Sequence, residues 1–462
     1  MSLDEHRLVV NLSPGDVRKA GTAFDLAIAV AALSAVGLLP DEALAGTLLL
    51  GELSLSGSLR PATGILPQLL HARSLGISHV IVPRQNGAEA AAVTGLCAHV
   101  ADTLTEVMDH LKSLRELDKA APAAPAVAKL ASVDLAEVRG QSGARRAIEI
   151  AAAGHHHLLF MGPPGGGKTM LARRLPTVLP VLSEEEALEV SAIHSVAGLL
   201  PSSAGLLRER PFRAPHHTTS DAGLVGGGYP PRPGELSLAH HGVLFLDELP
   251  EFRRSALEAL RQPLEDGSLV IARARSRATF PARPLLLAAS NPCPCGYLHD
   301  GTDRCTCSPE RVKAYAARLS GPLIDRLDLH VRLPPVAISA LSGASRAESS
   351  GAVRERVVAA RGRQAERRRR LGFASLTNAS LSPAELEAVC RLDAAGDALL
   401  QKSASELGLS ARAFSKVRKV ARTIADLAGD EDVRAQHVAE AIQYRVLDRR
   451  PGSQRSPIRG VA

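Results

Sequence analysis

Gly162-Pro163-Pro164-Gly165-Gly166-Gly167-Lys168-Thr169 is the stretch on which the reading of this chain turns. It fits the spacing G-x-x-x-x-G-K-[ST]. An apolar run, Leu158 to Met161, precedes it and is short enough for a buried strand. Met170 to Leu175 follows and reads as a helix start. Glycines let a backbone curl until successive N–H groups converge on one anion. The N-terminus of the next helix adds partial positive charge. Gly162, Pro163, Pro164, Gly165, Gly166 and Gly167 would then wrap a nucleotide's phosphates. Lys168 would reach the outer phosphates and the Thr169 hydroxyl would ligate Mg²⁺. A glycine-rich loop with no ligand is the competing reading, and the flanking strand and helix speak against it.

Downstream, Gly242-Val-Leu-Phe-Leu-Asp247-Glu248 puts two acids at the end of four apolar residues. Such a run suits a strand buried on both faces. In a doubly wound sheet, ligands bind at the carboxyl ends of strands. Asp247 is therefore expected at the Mg²⁺ site, and Glu248 beside the γ-phosphate as the group that orients and deprotonates water. A third apolar run, Pro284 to Ala289, ends at Ser290-Asn291. A polar amide at that strand tip suits a water-positioning sensor, and a turn before Pro292 is the plainer alternative.

The rest of the chain bounds the answer. At 462 residues it allows two to four domains. No apolar stretch is long enough to span a bilayer, and the start, with Asp4, Glu5 and His6, shows no secretion signal. Six cysteines, four of them bunched, do not form a secreted disulfide framework. A cytoplasmic protein with no membrane partner is expected. A net charge of +7 permits a polyanionic partner, while aromatics at 3% argue against a base-stacking platform for single strands.

Residues 1–112 read as a first α/β unit. Arg7 to Leu12 alternates like a strand, Ala23 to Val36 suits a helix, Leu48 to Leu53 a strand, Gly64 to Leu75 a helix and His79 to Pro83 a strand. With Gly51 to Gly57 and Gly76 to Pro83, this order resembles the proteolytic domain of Lon. Ala23 stands where that domain places its nucleophilic serine, and Leu66 where it places its lysine. A Ser-Lys dyad needs a hydroxyl beside an amine that accepts its proton, so no peptidase activity is expected. Thr22 is either a displaced nucleophile or, the favoured reading, a helix cap. Lon-like domains begin with strands upstream of the one at Leu8, so the unit is expected to be partial, with the chain starting inside it. Residues 113–131, rich in alternating Ala and Pro, read as a semi-rigid linker. Asp134 to Gln141 and the amphipathic run Arg145 to Ala153 lead into the core.

Several further segments sharpen the resemblance: Arg213-Ala-Pro-His216-His217-Thr-Thr-Ser, Pro233 to Gly242, Asp247-Glu248-Leu-Pro-Glu251-Phe, Asn291-Pro-Cys-Pro-Cys-Gly296, Ser320 to His330, and Ser410-Ala-Arg412-Ala-Phe-Ser. With the motifs above, the chain resembles the YifB/ComM family of magnesium-chelatase-like AAA+ ATPases from about residue 7 to 448. The resemblance implies an α/β fold: an AAA+ core over 132–335, an Arg-rich connection over 336–380 and a helical lid over 381–450. It implies ATP and Mg²⁺ as ligands. It makes Arg326 the arginine finger that reaches a neighbouring subunit's γ-phosphate, hence a ring, expected to be a homo-hexamer. It makes Arg412 the lid's sensor arginine. From charge alone, Arg326 equally suits an ion pair with Asp325 or Asp328, and Arg412 an exposed helix position.

Cys293-Pro-Cys295 and Cys305-Thr-Cys307 can close a tetrahedral Zn²⁺ site, unbound thiols being the alternative. His216, His217, His240 and His241 lie in the segment where related ATPases insert a pore-facing hairpin. As two adjacent pairs they suit loop packing better than metal, and Arg213 and Arg232 could meet a polyanion. Eight arginines between Arg354 and Arg370 are either a solvated helix face or a phosphate-contacting stripe. Ser382-Pro383-Ala-Glu385 reads as a helix start. The expected activity is ATP hydrolysis driving DNA remodelling of the branch-migration or helicase type, as the resemblance implies. The alternatives are a magnesium-chelatase subunit inserting metal into a porphyrin and an ATP-switched assembly factor.

Overall fold

The structure is a computed structural model that describes residues 7–12, 21–123, 133–273, 276–298, 300–319, 321–335, 347–445 and 447. The linker beyond Ala123 and the small polar connection from Ser342 to Arg346 lie outside the described residues.

The first unit is a four-stranded sheet. Strands β1 (Thr47–Leu49), β2 (His79–Pro83) and β3 (Cys97–Ala101) run parallel, and β4 (Asp118–Lys119) pairs antiparallel to β3. Helices α1 (Asp25–Ala35), α2 (Ile65–Ser74) and α3 (Leu104–Leu111) cover it. The alternating run Arg7–Leu12 forms no strand; Val9 is 85% exposed. Alternation favours a strand only where a partner edge completes the ladder. The expected single strand at 48–53 is two, because Gly51 turns the chain between β1 and the short pair Glu52–Leu53 with Leu59–Arg60. Thr22 does not cap α1. Its hydroxyl donates to Glu52 Oε2 at 2.5 Å. Ala23 lies half-buried where α1 begins, and Leu66 is fully buried in α2.

The second unit carries a five-stranded parallel sheet. Its strands are β5 (Leu158–Met161), β6 (Phe212–Arg213), β7 (Val243–Leu246), β8 (Leu285–Ser290) and β9 (Leu329–Arg332), in spatial order β9-β5-β8-β7-β6. Every residue of β7 and β8 is buried, as two-sided burial demands of apolar strands. Side chains alternate between two layers. Leu158, Phe160, Phe245 and Leu287 face α4 (Ser142–Gly154) and the C-terminal helices. Leu159, Leu244, Leu246 and Leu286 face Leu249, Phe252 and Leu257. Helix α5 (Lys168–Ala172) starts at the glycine loop, and α6 (Glu184–Val196) opens with a capping box of Ser183 and Glu186. The first unit docks on α6: the Gly64 N–H donates to Ser195 O at 3.1 Å, and the Ser195 hydroxyl donates to Glu89.

The C-terminal part is helical: α7 (Ser350–Leu371), α8 (Ala411–Ala428) and α9 (Ala435–Gln443), with shorter helices Pro383–Val389 and Ala394–Leu407 between α7 and α8. Ser382 and Glu385 form the capping box expected there. Arg-rich α7 is a brace. Arg361 donates to Ala152 O of α4, Arg363 to Asp426 O, and Arg367 to both Asp426 carboxylate oxygens at 2.8 and 2.9 Å. Arg356 pairs with Glu149 and Glu348. Half of the arginine run is therefore neither a solvated face nor a phosphate stripe. Those guanidiniums tie core to lid.

Candidate active site

The phosphate loop leaves β5 where the sheet's carboxyl edge begins. Gly165 and Gly167 adopt φ of +74° and +79°, which side chains other than glycine's resist. The Gly162 N–H donates to Ser290 O at the end of β8, fixing loop to neighbouring strand. Lys168 Nζ donates to Gly162 O, Pro163 O and Asn291 Oδ1 at 2.7, 3.0 and 2.9 Å. All three acceptors are neutral oxygens, so the ammonium charge remains available to an anion. Burial lowers the Lys168 pKa, and Asp247 and Glu248 partly offset that. Asn291 thus meets the loop lysine.

The Thr169 hydroxyl donates to Asp247 Oδ2 at 2.8 Å. Two oxygens on one edge of a Mg²⁺ octahedron, each ~2.1 Å from the ion, stand ~3 Å apart. The pair therefore fits Mg²⁺. Glu248 leaves β7 at φ +51°, a conformation non-glycine residues seldom adopt, and its N–H donates to Asp247 Oδ1 at 3.0 Å. Its carboxylate is turned toward His217 Nδ1, 3.5 Å away. Thr169, Asp247, Glu248, Arg173 and His217 line one cavity of about 270 Å³.

Arg326 and Arg412 do not join this constellation within one chain. Arg326 donates to Arg261 O at 3.1 Å and pairs with Glu265 at 2.5 Å, not with Asp325 or Asp328. Arg412 is 74% exposed and reaches Asp325 at 3.4 Å. Arg213, expected as a free contact for a polyanion, is held by both Glu235 carboxylate oxygens at 2.6 and 2.7 Å.

The four thiols of Cys293, Cys295, Cys305 and Cys307 converge, every Sγ within 4.8 Å of the others. Three of the separations are 3.4, 3.7 and 3.9 Å. Ligands 2.3 Å from a tetrahedral Zn²⁺ stand ~3.8 Å apart, so the cluster fits zinc. The backbone N–H of Tyr297 pulls the Cys295 thiol down to about 6, while, against their backbone hydrogen bonds, burial and the neighbouring thiols push Cys305 up to about 11 and raise Cys307, so one thiol of the four is drawn toward the thiolate form. The loop packs on the phosphate loop: a Cβ on Gly296 would stand 2.5 Å from Pro164 Cδ.

His240 and His241 both reach Glu189 Oε2 at 2.9 Å and hold that carboxyl down to about 2. His240 Nδ1 accepts the Arg283 N–H, so its other nitrogen carries the proton given to Glu189 and cannot ligate a metal. Glu189, His240 and His241 thus converge, and what the structure shows of the pair is its bonding to Glu189 and to the Arg283 N–H. The contact between His217 and Glu248 was not legible in sequence. The motif Arg213 to His217 was, and it follows β6, which lies beside β7 with Phe212 opposite Val243.

The parallel sheet with the glycine loop and two acids at its carboxyl edge defines the class of AAA+ ATPases, and comparison with known proteins agrees on that class. Residues 134–341 match the family described as magnesium chelatase, subunit ChlI. Residues 347–445 match its C-terminal domain, and residues 1–86 match a further ChlI-subunit family. The chain is 43% identical over 454 residues to competence protein ComM of Haemophilus influenzae, covering 96% of this chain and 86% of that one. It is 43% identical over 445 residues to YifB of Escherichia coli, with the same coverage. Against Rv2897c of Mycobacterium tuberculosis the identity is 46% over 440 residues, covering 95% and 86%. The chain belongs to the YifB/ComM family of magnesium-chelatase-like AAA+ ATPases.

Proposed function

We propose that the chain hydrolyses ATP as a ring, a homo-hexamer, and uses the energy to remodel DNA in the cytoplasm. The observation that carries the hydrolysis is the meeting of Lys168, Thr169, Asp247 and Glu248 at the carboxyl edge of one sheet. Mg²⁺ held by Thr169 and Asp247 would neutralise charge on the phosphates. Lys168 exchanges its carbonyl partners for phosphate oxygens. Glu248 orients the attacking water and takes its proton. Asn291, which already bonds Lys168, would track whether the outer phosphate is present. Arg326 would leave Glu265 to reach a neighbour's γ-phosphate, and Arg412 would serve as the lid's contact. Zn²⁺ in the four-cysteine loop would stiffen the support of Pro164. No helix among the described residues is long and apolar enough to cross a membrane. DNA as the substrate is supported by the net positive charge, the exposed Arg232 and Arg277, and the competence-protein name of one relative. Arg277 sits on a hairpin, Ser268–Arg273 with Ser276–Pro281, that no sequence reading anticipated.

The test is ATP turnover with and without forked, single- and double-stranded DNA, repeated with Glu248→Gln. Stimulation by DNA, and DNA retained by the Glu248→Gln form, are expected. Turnover indifferent to DNA with none retained removes DNA remodelling. That outcome would favour the second reading, metal insertion, which the magnesium-chelatase family descriptions support.

A further inference from the structure

We propose that Lys416 is a positioning residue for Arg326: the helical C-terminal part of each chain aims that chain's arginine at its neighbour. The inference rests on the reading of Arg326 as the arginine finger. Arg326 lies in the turn that leads into β9, its N–H donating to Leu323 O at 2.9 Å. Leu329 of β9 stands opposite Leu158 where β5 begins. Arg326 therefore sits at the amino edge of the sheet, across it from the phosphate loop of its own chain. The residues on both sides of it are held from the C-terminal part. Lys416 Nζ of α8 reaches Asp328 Oδ1 at 2.8 Å. Buried Arg445 donates to Leu327 O at 2.8 Å. Arg412, one turn before Lys416 on α8, reaches Asp325 at 3.4 Å. The Arg326 guanidinium itself rests on the core, against Arg261 O and Glu265 of the helix Arg261–Asp266. The two ends of one side chain are thus fixed by different parts of the molecule.

The three holding contacts are unequal. The Lys416 and Asp328 side chains are only 17% and 11% exposed, so solvent and salt screen the pair little. Arg412 is exposed, and a pair of that kind contributes little. Asp328 keeps a second partner, since its other oxygen lies 3.0 Å from His156 Nδ1. Removing the Lys416 charge therefore frees the finger segment from α8 without stranding a buried carboxylate. The consequence is geometric. When Arg326 leaves Glu265, its guanidinium swings from a Cα whose flanking residues are tied to the C-terminal part. A charged group displaced by about 1 Å from the reacting phosphate can cost about a hundredfold in rate. The anchor at Asp328 decides where the guanidinium lands, and so acts on the turnover of the neighbouring site rather than on its own.

The experiment mixes two full-length chains and reads ATP turnover. A Lys168→Ala chain supplies only a finger, and an Arg326→Ala chain supplies only a phosphate loop. Lys416→Met added to the finger-supplying chain is expected to lower the turnover of the mixture about tenfold. The same substitution in the loop-supplying chain should leave it within about twofold. Lys416→Arg in the finger-supplying chain, which keeps the charge, should restore turnover to within about threefold. A purely structural role would weaken the mixture from either side alike. Equal losses from the two sides, or no loss from the finger side, overturn the proposal. If Lys416→Met chains fail to assemble, Asp325→Asn decides: a loss of about twofold to threefold from the finger side alone is expected, and none there overturns it. A parent mixture without turnover would instead overturn Arg326 as the finger, a separate failure.

Discussion

Burial pulls the Lys168 ammonium below its ordinary pKa, while Asp247 and Glu248 across the cavity pull it back. Both carboxylates favour the ammonium form, and the negative charge of a bound triphosphate would favour it further. Lys168→Ala leaves the phosphates without that charge and is expected to lower nucleotide affinity at least about tenfold, and turnover further, in titrations with a fluorescent ATP analogue. Arg326 tests the ring. If its guanidinium serves the neighbouring site, Arg326→Ala and Lys168→Ala chains, each inactive alone, should regain turnover when mixed, because some interfaces then pair an intact loop with an intact arginine. A loss of about a thousandfold is expected for Arg326→Ala alone. No recovery on mixing would place Arg326 in structural work with Glu265 instead. At this scale Lys168, Thr169, Asp247 and Glu248 were legible, because each chemistry fixes residue type and spacing. Glu265 and His217 as partners were not, since they come from segments far away in sequence.

The elements around the site behave as supports. The cysteine loop follows β8 directly, so its four thiols, Asn291 and the Gly296–Pro164 contact form one continuous piece. Metal analysis of reduced protein should find about one zinc per chain. Stripping it with a chelator should weaken ATP binding severalfold, read by titration, with re-added zinc restoring it. Affinity that survives metal loss would separate the loop from the site. Strands β5, β7 and β8 were legible from apolar runs bounded by loop residues. The Arg7–Leu12 run misled, because a period of two says nothing about whether a partner edge is present. The arginine run of α7 misled in another way. Its periodicity gives a helix, but whether Arg361 and Arg367 meet solvent or Ala152 and Asp426 depends on what packs against that helix.

Across the whole molecule, core and lid share a buried polar latch. His156 Nδ1 lies 3.0 Å from Asp328 Oδ2 and its other nitrogen 2.8 Å from the Thr423 hydroxyl, while Lys416 Nζ reaches Asp328 Oδ1 at 2.8 Å. Against the cost of burial, Lys416 and His156 hold the Asp328 carboxyl well below the usual carboxylate range. Nearby His330 is fully buried, and burial, aided by Arg445, lowers it to about 3. The sign follows from linkage. An unfolded histidine takes its proton near pH 6.5 and the folded one only near 3, so stability is full above pH 6.5 and falls as the pH drops through that window. His330 alone should cost about 2 kcal/mol between pH 7 and 5. The thermal midpoint should fall over that range, and His330→Leu should flatten the fall. Asp328 acts lower. Its contribution is intact above about pH 4 and lost only below it.

The sequence alone determined the nucleotide chemistry, the parallel sheet that carries it and the helical C-terminal part. Phosphate binding demands a glycine loop with a lysine, and two-sided burial demands apolar strands ending in acids. The tertiary structure decided which charges are free and which are engaged. Glu248 faces His217, Arg213 faces Glu235, Arg326 faces Glu265, and α7 divides four of its arginines between the core helix α4 and Asp426 of the lid. The reason is physical. A charged side chain takes whichever opposite charge or carbonyl packing brings within about 3 Å, and that neighbour is set by how strands and helices are stacked, not by position along the chain.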